Sequence, residues 1–97
     1  MGNNLIISYD LSEPSRNYSD LIQEIKTLGL WAHALGSVWY VKSPLSASDA
    51  CDRLIRVLDQ DDSLLVVDAT NNNAAWKNLK PEVAAFIKEN WLKRYAA

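Results

Sequence analysis

Leu5-Ile6-Ile7-Ser8-Tyr9-Asp10-Leu11 has the pattern of a strand at the centre of a sheet, and the rest of the architecture is arranged around it. Alternation along a strand places Leu5, Ile7, Tyr9 and Leu11 on one face and Ile6, Ser8 and Asp10 on the other. The first face is apolar and aromatic throughout, as a strand over a hydrophobic core requires. The second ends in a carboxylate, a group that is costly to bury unpaired. Asp10 therefore calls for a cation, a proton or water beside it, and any functional reading turns on which.

A turn through Ser12-Glu13-Pro14-Ser15-Arg16 follows the strand. Asn17 is placed to cap a helix, with Asp20 supporting its first turn. Leu21, Ile22, Ile25 and Leu28 recur at helical spacing, and Gly29 stops the helix. Leu30 to Leu35 reads as a second strand, Gly36-Ser37 as a compact turn, and Val38-Trp39-Tyr40-Val41 as a third strand. Ser46-Ala47-Ser48-Asp49 has the form of a capping box, and behind it Ala50, Leu54, Ile55 and Leu58 make one apolar helical face. Leu64 to Ala69 is a fourth strand, apolar on both faces and so predicted to be internal or covered. Ala74 to Leu79 is predicted as a short helical turn. Pro81 suits the start of a last helix whose stripe is Val83, Phe86, Ile87 and Trp91.

The order β-α-β-β-α-β is the split βαβ pattern of a ferredoxin-like sandwich, an α+β fold. Residues 1–70 make that core, and residues 71–97 add a C-terminal helical extension within the same domain. Two helices cover one sheet face. The other face also carries apolar residues, so the added helix or a second subunit is expected to cover it.

The chain has 97 residues, 48% hydrophobic and 23% charged, with a formal net charge of -2. That is ordinary globular composition for one domain with a modest core. No apolar run spans a bilayer and no secretory signal pattern is present, so a cytoplasmic protein with no membrane partner is expected. The single cysteine, Cys51, excludes an intramolecular disulfide, and with the single histidine, His33, it argues against a thiolate or imidazole zinc site. Charge is uneven: from Lys77 onward five basic residues face two acidic ones, while the rest of the chain has five basic and ten acidic residues. A nucleic-acid backbone would be drawn to the tail.

Asp10 is the first metal candidate. Magnesium prefers carboxylate and water ligands, often with only one or two protein carboxylates. Two Asp10 side chains meeting across a two-fold axis would make such a site. Asp68 also ends a strand, but antiparallel pairing sends it to the opposite edge of the sheet, and Asp61 and Asp62 read as turn residues near Asp10. Ser37 is placed to position a phosphate or water, or to satisfy turn backbone. Trp31, Trp39, Trp76 and Trp91 are many for this length. Aromatics on a sheet can stack nucleobases, but no basic residues interleave with these in the sequence, so core or dimer packing is their expected role. His33 has no Ser or Asp partner pattern and is expected to be structural or exposed.

The run ending in Tyr9-Asp10 and the later Gly36-Ser37-Val38-Trp39-Tyr40 together resemble the small CRISPR-associated metal-dependent nucleases. The virulence-associated D ribonucleases share that superfamily. The resemblance runs from about Leu5 to Ala69. The chain also looks like small bacterial proteins called SinR-like. The resemblance implies a symmetric homodimer with Asp10 of each chain on a central cleft. There Mg²⁺ or Mn²⁺ would activate water against a phosphodiester of RNA or DNA. It places Tyr9 as a wall of the cleft and Ser37 at its flank. Trp39 takes the position of the family's phenylalanine, and Arg16 stands for the basic residues after strand one. The family's fifth strand is replaced here by a helix-forming tail. Two functions are therefore expected from the sequence: a metal-dependent endonuclease, or a non-catalytic homodimeric module of the same fold.

Overall fold

The computed structural model of the protein describes residues 2–13 and 18–92. Its elements run β1 (Asn3–Asp10), α1 (Ser19–Lys26), β2 (Leu30–Leu35), β3 (Val38–Ser43), α2 (Ala47–Ile55), β4 (Ser63–Asp68) and α3 (Pro81–Trp91). The sheet order is β2-β3-β1-β4 with every neighbouring pair antiparallel, which is the ferredoxin-like arrangement expected from the sequence.

β1 alternates as its sequence dictates. Leu5 and Ile7 are fully buried and join Trp39 and Val41 of β3 under α1 and α2, where Leu21, Ile25, Leu28, Ala50 and Leu54 complete the core. Tyr9 and Leu11 continue that face, half-buried. Ser46 caps α2 as predicted, its hydroxyl accepting from the Asp49 amide at 3.0 Å. The expected cap of α1 at Asn17 lies outside the described residues. Gly29 is required for a reason other than a turn: a Cβ there would collide with the Lys42 carbonyl oxygen of the adjoining strand.

Three expectations need correction. β4 is an edge strand, not an internal one, and its outer-face residues Leu65 and Val67 are 61% and 42% exposed. Local sequence records that both its faces are apolar but not which neighbour is missing. Ile55 leaves the apolar face of α2 and is exposed, while Ala50 and Leu54 are buried and Ala47 packs against the core from that helix. Residues 74–79 are not helical. That segment contains Asn78 at φ 61, and Asn71 at φ 68 precedes it, left-handed positions that asparagine tolerates and that interrupt a helix.

α3 lies on the sheet face away from α1 and α2, over β2 and β3. The Tyr40 ring stacks on Trp91 with centroids 5.5 Å apart, and Phe86 meets it edge-on at 6.2 Å. The carbonyl of Trp91 ends the helix on a polar hub: it accepts from Asn4 Nδ2 at 2.8 Å and from the Lys42 ammonium at 3.3 Å. Asn4 Oδ1 in turn accepts from the Tyr40 hydroxyl at 2.7 Å and Lys42 Nζ at 3.0 Å. A cation at a helix C-terminus meets the negative end of the helix dipole, which suits Lys42 to this place. α3 thus covers half of the outer face. Among the described residues, the half formed by β4 keeps Leu65 and Val67 exposed.

Candidate functional site at the end of the first strand

Antiparallel pairing brings the end of β1 beside the start of β3 and the start of β4. Asp10 pairs with Ser63, and the Tyr9 amide donates to the Ser37 carbonyl at 3.2 Å. Alternation sends the neighbouring side chains to opposite faces. Tyr9 goes to the helix side, where its hydroxyl accepts from Trp39 Nε1 at 3.1 Å. Asp10 goes to the outer side with Ile6 and Ser8, is exposed, and makes no hydrogen bond or ion pair among the described residues. Asp68 pairs with Leu5 at the other end of the sheet, as the topology requires.

The structure therefore joins Tyr9, Ser37 and Trp39 through hydrogen bonds and sets Asp10 next to them on the opposite face. Ser37 contributes its backbone carbonyl, and its side chain is exposed. Trp39 is only 2% exposed and cannot itself touch a bound strand. Arg16 lies outside the described residues. Among the described residues no group of three or more His, Cys, Asp or Glu side chains is placed to hold a metal ion. Within one chain, then, Asp10 is an open acid at this corner, and a hard oxygen donor of this kind fits magnesium or manganese only if further ligands come from water and another carboxylate.

A different acid holds the corner together. Asp62 Oδ1 accepts from the Ser12 amide at 2.8 Å, the Ser12 hydroxyl at 2.9 Å and the Tyr18 hydroxyl at 3.0 Å, while Oδ2 accepts from the Asp59 amide at 2.8 Å. Asp62 is thus a tie between the end of β1, the start of α1 and the turn into β4. In the sequence alone Asp62 reads as a turn residue. Its one available signal was its place just before β4, the strand whose start pairs with the end of β1.

A second cluster lies on the helix side at the β2 edge. His33 stacks on Trp39 with ring centroids 4.1 Å apart and planes 8° from parallel. Trp31 leans on Trp39 at 5.5 Å and 56°. Lys26, in the last turn of α1, holds its ammonium 4.6 Å from the centre of the Trp31 ring. The basic residue absent between the aromatics in the sequence is supplied from a neighbouring helix.

The fold and this corner define a ferredoxin-like α+β sandwich with an outer face partly covered by α3 and an exposed acid at the end of its central strand. Among solved structures the chain is similar to a hypothetical protein from Thermus thermophilus, at 19% identity and a TM-score of 0.61, covering 82% of this chain and 96% of that one. At that identity the likeness concerns the fold alone. No family model and no curated protein matches the chain. No helix among the described residues is long and apolar enough to cross a membrane.

Proposed function

We propose that the protein is a symmetric homodimer in which the two Asp10 carboxylates hold Mg²⁺ or Mn²⁺ for endonucleolytic cleavage of RNA or DNA. The observation that supports this reading is the state of Asp10: exposed, without a partner among the described residues, and on the outer sheet face that α3 covers only over β2 and β3. Leu65 and Val67 lie on that same face, apolar and exposed, as a surface that association would cover.

The geometry restricts how the two chains must meet. If the dimer joined through the β4 edges, at least three strand spacings would separate the two Asp10 residues, roughly 14 Å, too far for one small ion. A shared site needs the bare outer faces stacked on each other. The bound cation would supply charge to polarise a phosphodiester and lower the pKa of a water. Asp10 holds and orients that charge. Tyr9, held by Trp39 on the helix side, braces the end of β1 from behind and does not line the outer-face cleft. Ser37 flanks the strand end, and Arg16, outside the described residues, is the basic residue assigned to the phosphates.

Asp10→Asn keeps the shape of the side chain and removes its charge. It is expected to abolish Mg²⁺-dependent cutting of single- and double-stranded RNA and DNA while leaving the melting temperature unchanged. Equal rates for the variant and the parent would remove Asp10 from the mechanism.

A second reading is favoured by the lack of a larger ligand group among the described residues. In it the homodimer is a non-catalytic docking module that meets its partner through the basic tail. Lys88 of α3 is exposed, and Arg94 lies outside the described residues. This reading predicts no cleavage with any divalent metal, and loss of partner binding in Lys88→Glu or Arg94→Glu.

A further inference from the structure

The aromatic ledge on the β2 edge has the construction of a stacking platform. A histidine that is exposed in a sheet ordinarily samples several rotamers. His33 does not have that freedom. One ring face lies nearly parallel on Trp39, and Nε2 donates to the Gly36 carbonyl at 3.1 Å, which fixes the ring in its plane and places a proton on Nε2. Trp39 is itself buried and pinned by its bond to the Tyr9 hydroxyl. His33 remains exposed on the edge strand β2, so the imidazole held against Trp39 is a flat π surface within reach of a ligand. Two residues earlier on the same face, Trp31 is 39% exposed and carries the Lys26 ammonium over its ring.

From this geometry we propose that His33 and Trp31 form a nucleobase-binding ledge, with Lys26 as its phosphate contact. A base stacks on the open face of His33, extending the Trp39–His33 stack by one ring. Trp31, about 7 Å along the strand, meets a neighbouring base with the part of its ring that Lys26 and Trp39 leave exposed. Aromatic platforms of this kind bind unpaired bases with little sequence preference, because every base offers a π face. The cation is placed where a backbone phosphate follows the base. The ledge is about 14 Å from Asp10, three residues along and two strands across. It deepens the nucleic-acid reading given above and rests on it for the nature of the ligand, but binding to the ledge requires no metal and no cleavage.

The test is therefore made in EDTA at low salt, with the full chain and a labelled twelve-nucleotide single-stranded DNA followed by fluorescence anisotropy. A strand of equal length lacking its bases, and thymidine monophosphate as a competitor, are the comparison arms. The ledge predicts binding of the normal strand and at least tenfold weaker binding of the abasic one. His33→Ala and Trp31→Ala are each expected to weaken binding about tenfold, and His33→Phe to restore it to within about twofold, since the stacking face returns without the imidazole. Competition by the monophosphate would identify free nucleotides as ligands of the ledge. Its failure to compete, with the strand bound, would identify single strands. No binding by the parent, equal binding of the abasic strand, or a His33→Ala variant that binds like the parent would each overturn the proposal. The abasic comparison uses only the parent, so it decides the matter even if a variant fails to fold. Absence of cleavage in the Asp10 experiment leaves all these outcomes unaffected.

Discussion

Replacing Asn4 with alanine should undock the end of α3. Asn4 is 1% exposed and its side chain makes three hydrogen bonds: it accepts from Tyr40 at 2.7 Å and from Lys42 at 3.0 Å, and it donates to the Trp91 carbonyl at 2.8 Å. A neutral buried bond contributes about 1 kcal/mol net, and one to a charged group about 2 kcal/mol. The loss should therefore be about 4 kcal/mol, because the Lys42 bond is the charged one. The backbone bonds of residue 4 to Thr70 and Ala69 survive the substitution, so the strand itself stays paired. For a domain of this size each kcal/mol shifts the melting temperature by roughly 4–8 °C, so a fall of roughly 15–30 °C is expected. Hydrogen exchange read residue by residue gives the sharper assay. The amides of α3 should lose protection before those of β1 and β3, since the helix end is what the hub holds. A variant within about 0.5 kcal/mol of the parent in urea, with α3 still protected, would refute the hub as the anchor of the helix.

Lys42 carries a pH dependence of known sign. Burial lowers the pKa of its ammonium from 10.5, and the attraction of Asp68 offsets only part of that. Between the folded pKa and 10.5 the unfolded chain holds more protons than the folded one, so this residue makes stability rise with pH across that window. The urea midpoint of the parent should therefore gain on that of Lys42→Met as pH increases toward 10.5, and a constant difference would contradict the assignment. Gly29→Ala should cost about 2–4 kcal/mol in urea unfolding, because the added methyl meets backbone of β3 that cannot turn aside. An unchanged midpoint would mean that β2 and β3 shift freely. Asp62→Ala should cost about 2 kcal/mol and speed hydrogen exchange at the Ser12 and Asp59 amides, which lose their acceptor. Unaltered exchange at both would show that other contacts hold the corner.

What the sequence reveals of this fold is what neighbours along the chain determine. The alternation of Leu5, Ile7 and Tyr9, the Ser46 cap and Pro81 at the head of α3 are local signals, and each stands where it was expected. The exposure of Leu65 and Val67 depends on which strand is absent beyond β4, and no residue of β4 encodes that. The hub joins Asn4 to the carbonyl of Trp91, 87 residues away, and its members look like unrelated polar residues in the sequence. Of the candidate site, the meeting of Tyr9, Ser37 and Trp39 follows from the order of the two strand motifs. The His33 stack does not: it depends on His33 pairing with Trp39 just before the β-bulge that shifts the register ahead of Leu35. Lys26 reaches Trp31 from a helix, so no reading of β2 alone finds the cation.

One acid per chain becomes a cation site only where two chains meet. Mn²⁺ titration followed by electron paramagnetic resonance, with sedimentation on the same samples, measures this. The expected result is one ion bound for every two chains, a dimer in solution, and no bound ion in Asp10→Asn. A monomer, one ion for every chain, or Mn²⁺ retained by Asp10→Asn would contradict it.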